Sequence, residues 1–430
     1  MKFSCKVSGL LEGIVPAIGV STHSVVKDFK GSGKIHIESN KDEIIVSSFN
    51  GKVAIRSVIS DLISGNLSYS CLSEGSVTVS SVDLQNVLSS FRKDDEIEVG
   101  IKNDNNGKEF VINKKSDEEE YQTLPCASED IEMPKRAKKF EKEITIDRNV
   151  YNYGINKVFW AIGYEENMPQ YMHVVLRLNK NEARFVTGTG GRFAILNIDG
   201  ENFMDSNSDE QITILLPKDH TESVKKIFSS IDDEKITIKA NNEQSSNYQI
   251  AISTKAHEIV FVNLDSDIAY PDENKILSYN PPNKFVTNIS EWEYVGKGII
   301  ATYSEELKKE HRQSRAVVAV EKDASALIVK SGSIMKASRK VPILASNFEA
   351  ETKDIEFVCN SAFLKEISEH GADQDNIQIE IPTGQENKKP IIIRYYALNE
   401  VKDGATLVNK NESSGLNEKY TTFFATLSKE

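Results

Sequence analysis

Three short stretches of the chain alternate apolar and polar residues, and each follows an acidic turn. They are Asp95-Glu96-Ile97-Glu98-Val99-Gly100-Ile101, Asp233-Glu234-Lys235-Ile236-Thr237-Ile238-Lys239 and Asp375-Asn376-Ile377-Gln378-Ile379-Glu380-Ile381. A period of two predicts half-buried strands, and the segments before them, 81–92, 220–230 and 360–370, carry helical spacing. Ile97 to Ile236 spans 139 positions and Ile236 to Ile377 spans 141.

Two further landmarks keep that period. Strands at 34–37, 173–178 and 316–320 run into the polar turns Asn40-Lys41-Asp42, Asn179-Lys180-Asn181 and Glu321-Lys322-Asp323, which are 139 and 142 positions apart. Each third also opens on a short strand (Lys2-Phe3, Lys142-Glu143-Ile144, Lys284-Phe285-Val286) followed by Ser8, Asp147 or Ser290 placed to cap a helix. A period near 140 is too long for a solenoid, so the pattern predicts three tandem domains of one α+β fold, at 1–137, 141–278 and 284–430. Each domain is expected to pack two helices on antiparallel sheets. The charged run 134–139 and the proline-bearing run 278–283 are the expected linkers.

Length agrees with this division: 430 residues at roughly 150 per domain gives about three. A content of 39% hydrophobic and 27% charged residues is that of a globular chain, and no apolar run nears the roughly 20 residues of a membrane span. The opening residues lack the apolar segment of a signal peptide. Four well-separated cysteines (Cys5, Cys71, Cys126, Cys359) suit free thiols, and a cytoplasmic location is expected. The net charge of -13 argues against coating nucleic acid by bulk charge while permitting a local basic surface.

Catalytic signatures fail on inspection. The stretch Gly31-Ser32-Gly33-Lys34-Ile35 lacks the first glycine of a phosphate loop, since Asp28 stands there, and Ile35 replaces the magnesium-binding hydroxyl. The cluster Gly188-Thr189-Gly190-Gly191-Arg192-Phe193 has Phe193 at the third glycine of a dinucleotide fingerprint and leads into a strand. No GxSxG elbow occurs, and the seven histidines are scattered, so neither a metal nor a cofactor is expected. An enzyme holding a phosphorylated ligand on the loop Gly188 to Arg192 is the alternative of a different class, and a structural repeat protein is a third.

The sequence resembles the bacterial DNA polymerase III beta subunit, the sliding clamp, along essentially its whole length. Val186-Thr187-Gly188-Thr189-Gly190-Gly191-Arg192-Phe193-Ala194 is similar to the family's V-A-T-D-G-H-R-L-A, and Thr123-Leu124-Pro125 to its T-L-P. Tyr270-Pro271-Asp272 resembles F-P-D, and Asn360-Ser361-Ala362-Phe363-Leu364 resembles N-x-x-Y-L. The resemblance implies a non-catalytic processivity factor, a head-to-tail homodimer whose six domains close a ring around duplex DNA without reading its sequence. It further implies that replicative polymerase, clamp loader and repair proteins dock through a short peptide.

Carried onto this chain, the resemblance implies DNA contacts at Lys27, Lys30, Arg92, Lys93, Arg148, Lys157, Lys225, Lys226, Lys297, Lys308, Lys309, Arg312 and Arg315. The peptide pocket would be walled by Tyr171, Gly188, Gly190, Gly191, Arg192, Phe193, Pro271, Ile276, Asn360, Phe363, Pro390, Phe423, Phe424 and Ala425. Gly188, Thr189 and Gly191 stand where the family has Thr, Asp and His, and Phe423-Phe424-Ala425 replaces Met-Pro-Met, which implies an altered peptide preference. The expected dimer contact sets the strand near Tyr121 against the region of Ile299 and Ile300.

Overall fold

The computed structural model of the chain describes residues 1–22, 29–64, 67–104, 107–165, 167–199, 204–205, 211–228, 233–241, 248–262, 264, 268, 270–303, 314–331, 336–349, 351, 355–371, 376–382, 390–396, 401–402, 406–407 and 417–424. Strand β1 (Lys2–Lys6) enters helix α1 (Val7–Ser21), and β2 (Lys34–Ser39), β3 (Ile44–Phe49) and β4 (Val53–Ile59) follow. Next come α2 (Asp61–Ser64), β5 (Ser70–Ser73), β6 (Gly75–Ser80), α3 (Ser81–Ser89), β7 (Glu96–Asp104), β8 (Gly107–Lys114) and β9 (Asp117–Pro125).

The same succession then recurs. It runs through β10 (Lys142–Asp147), α4 (Arg148–Val158), β11 (His173–Leu178), β12 (Glu182–Gly188), β13 (Arg192–Asp199), β14 (Met204–Asp205), β15 (Ile212–Pro217), α5 (Lys218–Phe228), β16 (Lys235–Ala240), β17 (Ile250–Ser253) and β18 (His257–Phe261). After α6 (Glu273–Leu277) it recurs again as β19 (Asn283–Asn288), α7 (Ile289–Ile300), β20 (Arg315–Val320), β21 (Ala326–Ser331), β22 (Ser338–Pro342), β23 (Ala345–Asn347), β24 (Glu356–Asn360), α8 (Ser361–His370), β25 (Asn376–Ile381), β26 (Ile391–Tyr396), the short β27 (Val401–Lys402) and β28 (Thr406–Leu407), and β29 (Asn417–Phe424).

Register repeats as well as order. β1 pairs β7 with Lys6 opposite Glu96, β10 pairs β16 with Asp147 opposite Lys235, and β19 pairs β25 with Asn288 opposite Asn376. The helix that follows β1 or β10 donates its first N–H to the carbonyl just before the partner strand: Val7 to Asp95 at 3.0 Å and Arg148 to Glu234 at 2.8 Å. A second helix does likewise, Ser81 to Gly33 and Ser361 to Ser314, both at 2.8 Å. These bonds satisfy donors that a helix cannot satisfy internally.

That arrangement corrects two of the expected caps. Ser8 lies inside α1, whose cap position is Lys6 without a side-chain bond, because the carbonyls of Asp95 and Lys93 already take the N–H groups of Val7 and Ser8. Ser290 is likewise inside α7, and Asn288 accepts its N–H at 2.9 Å. Asp147 caps as expected, accepting from Asn149 and Val150. The first helix continues past Pro16 to Ser21, with Leu10, Ile14 and Ala17 fully buried.

The chain forms two compact units, residues 1–152 with 203–268, and residues 153–202 with 269–430. In the first unit one sheet runs β14-β10-β16-β17-β18-β4-β3-β2-β6, joining strands from two successive repeats where β18 meets β4. Phe49, Ala54, Ile131, Ala251, Val260 and Val262 share one apolar cluster at that junction, and His257 shares a 2.8 Å hydrogen bond with Ser57. Helix α1 contacts both α3 and α5. The unit's other sheet, β5-β1-β7-β8-β9, ends on β9.

In the second unit the order β11-β12-β13-β29-β26-β25-β19-β23 repeats that junction, here with β13 against β29. A separate four-stranded sheet runs β22-β21-β20-β24. Beneath them α7 crosses α8, with Trp292 fully buried and its indole N–H donating to Thr287 Oγ1 at 2.7 Å. No helix among the described residues is long and apolar enough to cross a membrane.

The crossing depends on Gly296. A Cβ there would stand 2.9 Å from the Lys365 backbone of α8, too close for any side chain. Gly296→Leu is therefore expected to destabilise the protein by about 1–3 kcal/mol in denaturant titration, the usual range for overpacking. Unchanged stability would mean that the helices do not cross at this glycine.

Candidate functional site

Within the second unit, the loop after α4, the turn between β12 and β13 and the first turns of α8 enclose an open cleft of about 610 Å³. Ile162, Met168, Tyr171, Ala362 and Phe363 supply apolar wall, and Arg192 and Glu366 the charge. The turn is held by Thr189: its Oγ1 accepts the N–H groups of Gly191 at 3.1 Å and Arg192 at 3.2 Å, and its own N–H donates to the Arg192 carbonyl at 2.7 Å. A Cβ at Gly190 would meet nothing within 4 Å, so that residue faces open space.

Arg192 ties the cleft to its support. Its guanidinium donates to Glu366 Oε1 and, at 3.2 Å, to the Trp160 carbonyl, and it sits 5.4 Å from the centre of the Trp160 ring. Trp160 stacks on His370 with ring centres 4.2 Å apart, and its indole N–H donates to the Tyr420 hydroxyl at 2.8 Å. The Tyr420 hydroxyl in turn donates to the Lys157 carbonyl at 3.1 Å. Asn360 serves helix α8: its side-chain oxygen accepts from Ala362 N–H at 2.9 Å and from the Ser314 hydroxyl at 3.1 Å.

The electrostatics follow burial. Desolvation raises the Glu366 carboxyl above its ordinary value, with Arg192 opposing the shift. Burial pushes His370 down to about 4, with Glu369 pulling the other way. Two backbone donors that an anion would need, those of Gly191 and Arg192, are held by Thr189, and the Arg192 cation by Glu366. The turn therefore suits an apolar guest better than a phosphate.

Of the residues expected to wall a pocket, the structure gathers Tyr171, Gly190, Gly191, Arg192, Asn360 and Phe363 around this cleft. Gly188 lies elsewhere, beneath the Phe193 ring, where a Cβ would come within 2.3 Å of Phe193 Cδ1. The half-buried Phe193 packs edge-on against Tyr171, and neither Phe193, Pro271 nor Pro390 lines the cleft. Phe423 and Phe424 pair in β29 with Phe193 and Arg192, Ile276 belongs to α6, and Ala425 lies outside the described residues.

The expected DNA-contacting residues fall into distinct settings. Lys30 is exposed 3.5 Å from Glu129, Arg92 and Lys93 are exposed beyond α3, and Lys297 is exposed on α7 beside Glu293. Arg148, Lys225 and Arg315 are half-buried, and desolvation lowers the Lys225 ammonium against the pull of Glu222. Lys157 departs from expectation: it is buried, with its ammonium 5.2 Å from the Tyr420 ring, so it packs instead of facing solvent. Lys226 belongs to α5, and Lys27, Lys308, Lys309 and Arg312 lie outside the described residues.

The expected dimer contact also changes. Tyr121 is exposed on the edge strand β9, but Ile299 is fully buried in the α7 core and Ile300 half-buried, so α7 cannot offer the Ile299 side chain to a partner.

Sequence reasoning missed Ile162, Gly163, Tyr164, Glu165, Met168, Ala362 and Glu366. Glu366 was within reach, since it lies three positions after Phe363 on one helix face. The loop after α4 carried no such signal.

No family model matches the chain, and no curated protein matches it by sequence. Solved structures match it along its full length. The DNA polymerase III subunit beta of Pseudomonas aeruginosa superposes with a TM-score of 0.76 at 12% identity, covering 99% of this chain and 100% of that one. The beta subunit of Thermotoga maritima gives 0.72 at 16% identity, and the DNA polymerase sliding clamp of Bacillus subtilis 0.74 at 14%, each covering 100% of both chains.

One pH dependence follows from the support of the cleft. The unfolded chain takes a proton at His370 near its ordinary value of 6.5, which the folded chain refuses until about 4, so this residue's effect is to lower stability progressively as pH falls from 6.5 to 4. His370→Gln should flatten the unfolding free energy across that window, and an unaltered slope would mean that His370 is not shielded. The fold of this chain, from its first strand to β29, is that of the DNA polymerase III beta subunit sliding clamps.

Proposed function

We propose that the chain is a DNA sliding clamp, a non-catalytic tether built from three domains at 1–137, 141–278 and 284–430 that closes into a ring as a head-to-tail homodimer. The observation that carries the reading is a pair of open sheet edges. Wherever one repeat meets the next, the last strand of one sheet pairs antiparallel with the third hairpin strand of another, β18 with β4 and β29 with β13. By the same rule β9 and β22 are the counterparts left unmatched among the described residues, and each is the outer strand of its sheet there. Pairing β9 of one copy with β22 of the next satisfies both edges and, with two copies, closes the ring.

Composition favours that pairing. β9 begins Asp117-Glu118-Glu119-Glu120, while β22 carries Arg339 and Lys340. Tyr121 and Leu344, at 59% and 55% exposure, are large apolar side chains beside these edges that such an interface would cover. Leu344→Asp should move the sedimenting species from twice the 48.1 kDa chain toward the single chain. A dimer unaffected by the change would reject the edge pairing.

In the ring, basic residues such as Arg92, Lys93 and Lys297 meet phosphates only, so binding to duplex DNA is weak, sequence-independent and steeply dependent on salt. The deciding experiment loads the protein on circular plasmid and linearises it: a clamp stays on the circle and slides off the linear form. Equal retention on both would defeat the reading.

The cleft at Gly190 is then the docking site for a short segment of replicative polymerase, clamp loader or repair proteins. Gly190→Phe fills the open space beside the turn and should abolish polymerase binding while the dimer survives. Binding retained with the phenylalanine in place would put the docking site elsewhere.

A further inference from the structure

One sheet edge is unlike its counterparts in the other two repeats. β5 borders the sheet β5-β1-β7-β8-β9, and no strand among the described residues pairs on its far side. The strands in the same place are β14 beside β10 and β23 beside β19, of two and three residues against four in β5. Among the described residues only β5 is preceded by a short helix, α2.

This stretch is held in place yet leaves apolar side chains in solvent. Leu67 is fully buried and its carbonyl accepts the Lys6 N–H at 2.8 Å, while Asp61 Oδ2 accepts the Tyr69 N–H at 3.0 Å and ties α2 to the start of the strand. Leu62, Ile63 and Leu72 are nevertheless exposed, at 98%, 40% and 57%. From Ser68 to Ser73 the chain carries no charge. An uncharged open edge with exposed apolar residues is a template for another strand.

We propose that its occupant is the same strand of a second copy, so that two copies of this chain join through an antiparallel pair of β5 edges. Charge selects this partner. β9 is acidic and β22 carries Arg339 and Lys340, so each would repel a copy of itself, whereas β5 meets itself without like charges. A two-fold contact sets identical patches together, which brings Leu62, Ile63 and Leu72 of both copies to one interface. Antiparallel pairing also sends Glu74, the first charge after the strand, to opposite ends. The contact goes beyond the ring and does not require it. Where the ring forms, its two-fold axis turns both β5 edges to one side, and two rings meet through two contacts at once. Four residues make a small interface, so the association is weak and shows only at high concentration.

Sedimentation velocity over a concentration series, with Leu62→Lys and Leu72→Lys beside the wild type, tests this. Both side chains are exposed, so circular dichroism should show each variant folded. The wild type should pass from two chains to four as concentration rises, and each lysine, set against its own copy, should weaken that step about 10-fold. Leu344→Asp should leave a pair of chains that Leu72→Lys then separates, which distinguishes this contact from the ring. If the wild type stops at two chains and Leu72→Lys separates them while Leu344→Asp does not, the β5 contact stands and the ring reading fails. A wild type that stops at two chains unaffected by Leu72→Lys overturns the proposal, as does a four-chain species that both lysine variants form equally well.

Discussion

Backbone hydrogen bonding at strand edges is the constraint on which this molecule depends. A strand at the border of a sheet exposes a row of N–H and C=O groups, and this chain satisfies them by running sheets from one repeat into the next. The junctions β18 to β4 and β13 to β29 join segments roughly 200 residues apart in sequence, so the apolar cluster around Phe49 and Val260 exists only because the edges meet. Helix termini obey the same requirement, since Val7, Ser81, Arg148 and Ser361 send their N–H groups to carbonyls at the start of neighbouring strands.

The local layer of this design was legible in the sequence. The hairpin turns at Asn40, Asn179 and Glu321 lie where their polar residues interrupt apolar alternation, and strands β16 and β25 fall on the period-two runs. Helix α8 falls on the segment 360–370 that carries helical spacing. The period near 140 reappears as matched registers of β1 with β7, β10 with β16 and β19 with β25.

What escaped sequence reasoning is non-local. Ser8 has the chemistry of a cap, but a carbonyl some 85 positions downstream does its work. Lys157 looks like a solvated cation at a helix end, and only the approach of Tyr420 reveals it as a packed one. Gly188 belongs to a glycine-rich turn that reads as a pocket floor, yet its missing side chain makes room for Phe193. The loop carrying Ile162 and Met168 acquires meaning only when α8 is laid beside it. Each failure has the same cause, since the deciding neighbour is distant in sequence and no local pattern encodes it.

The functional reading stands on the two edges that the repeat leaves unmatched. Hydrogen exchange of the β9 and β22 amides, followed by mass spectrometry over a dilution series, addresses them directly. The account predicts that both strands are strongly protected at high protein concentration and lose that protection together on dilution, while β18 and β4 stay protected throughout. Amides of β9 and β22 that exchange as open edges at every concentration would contradict it.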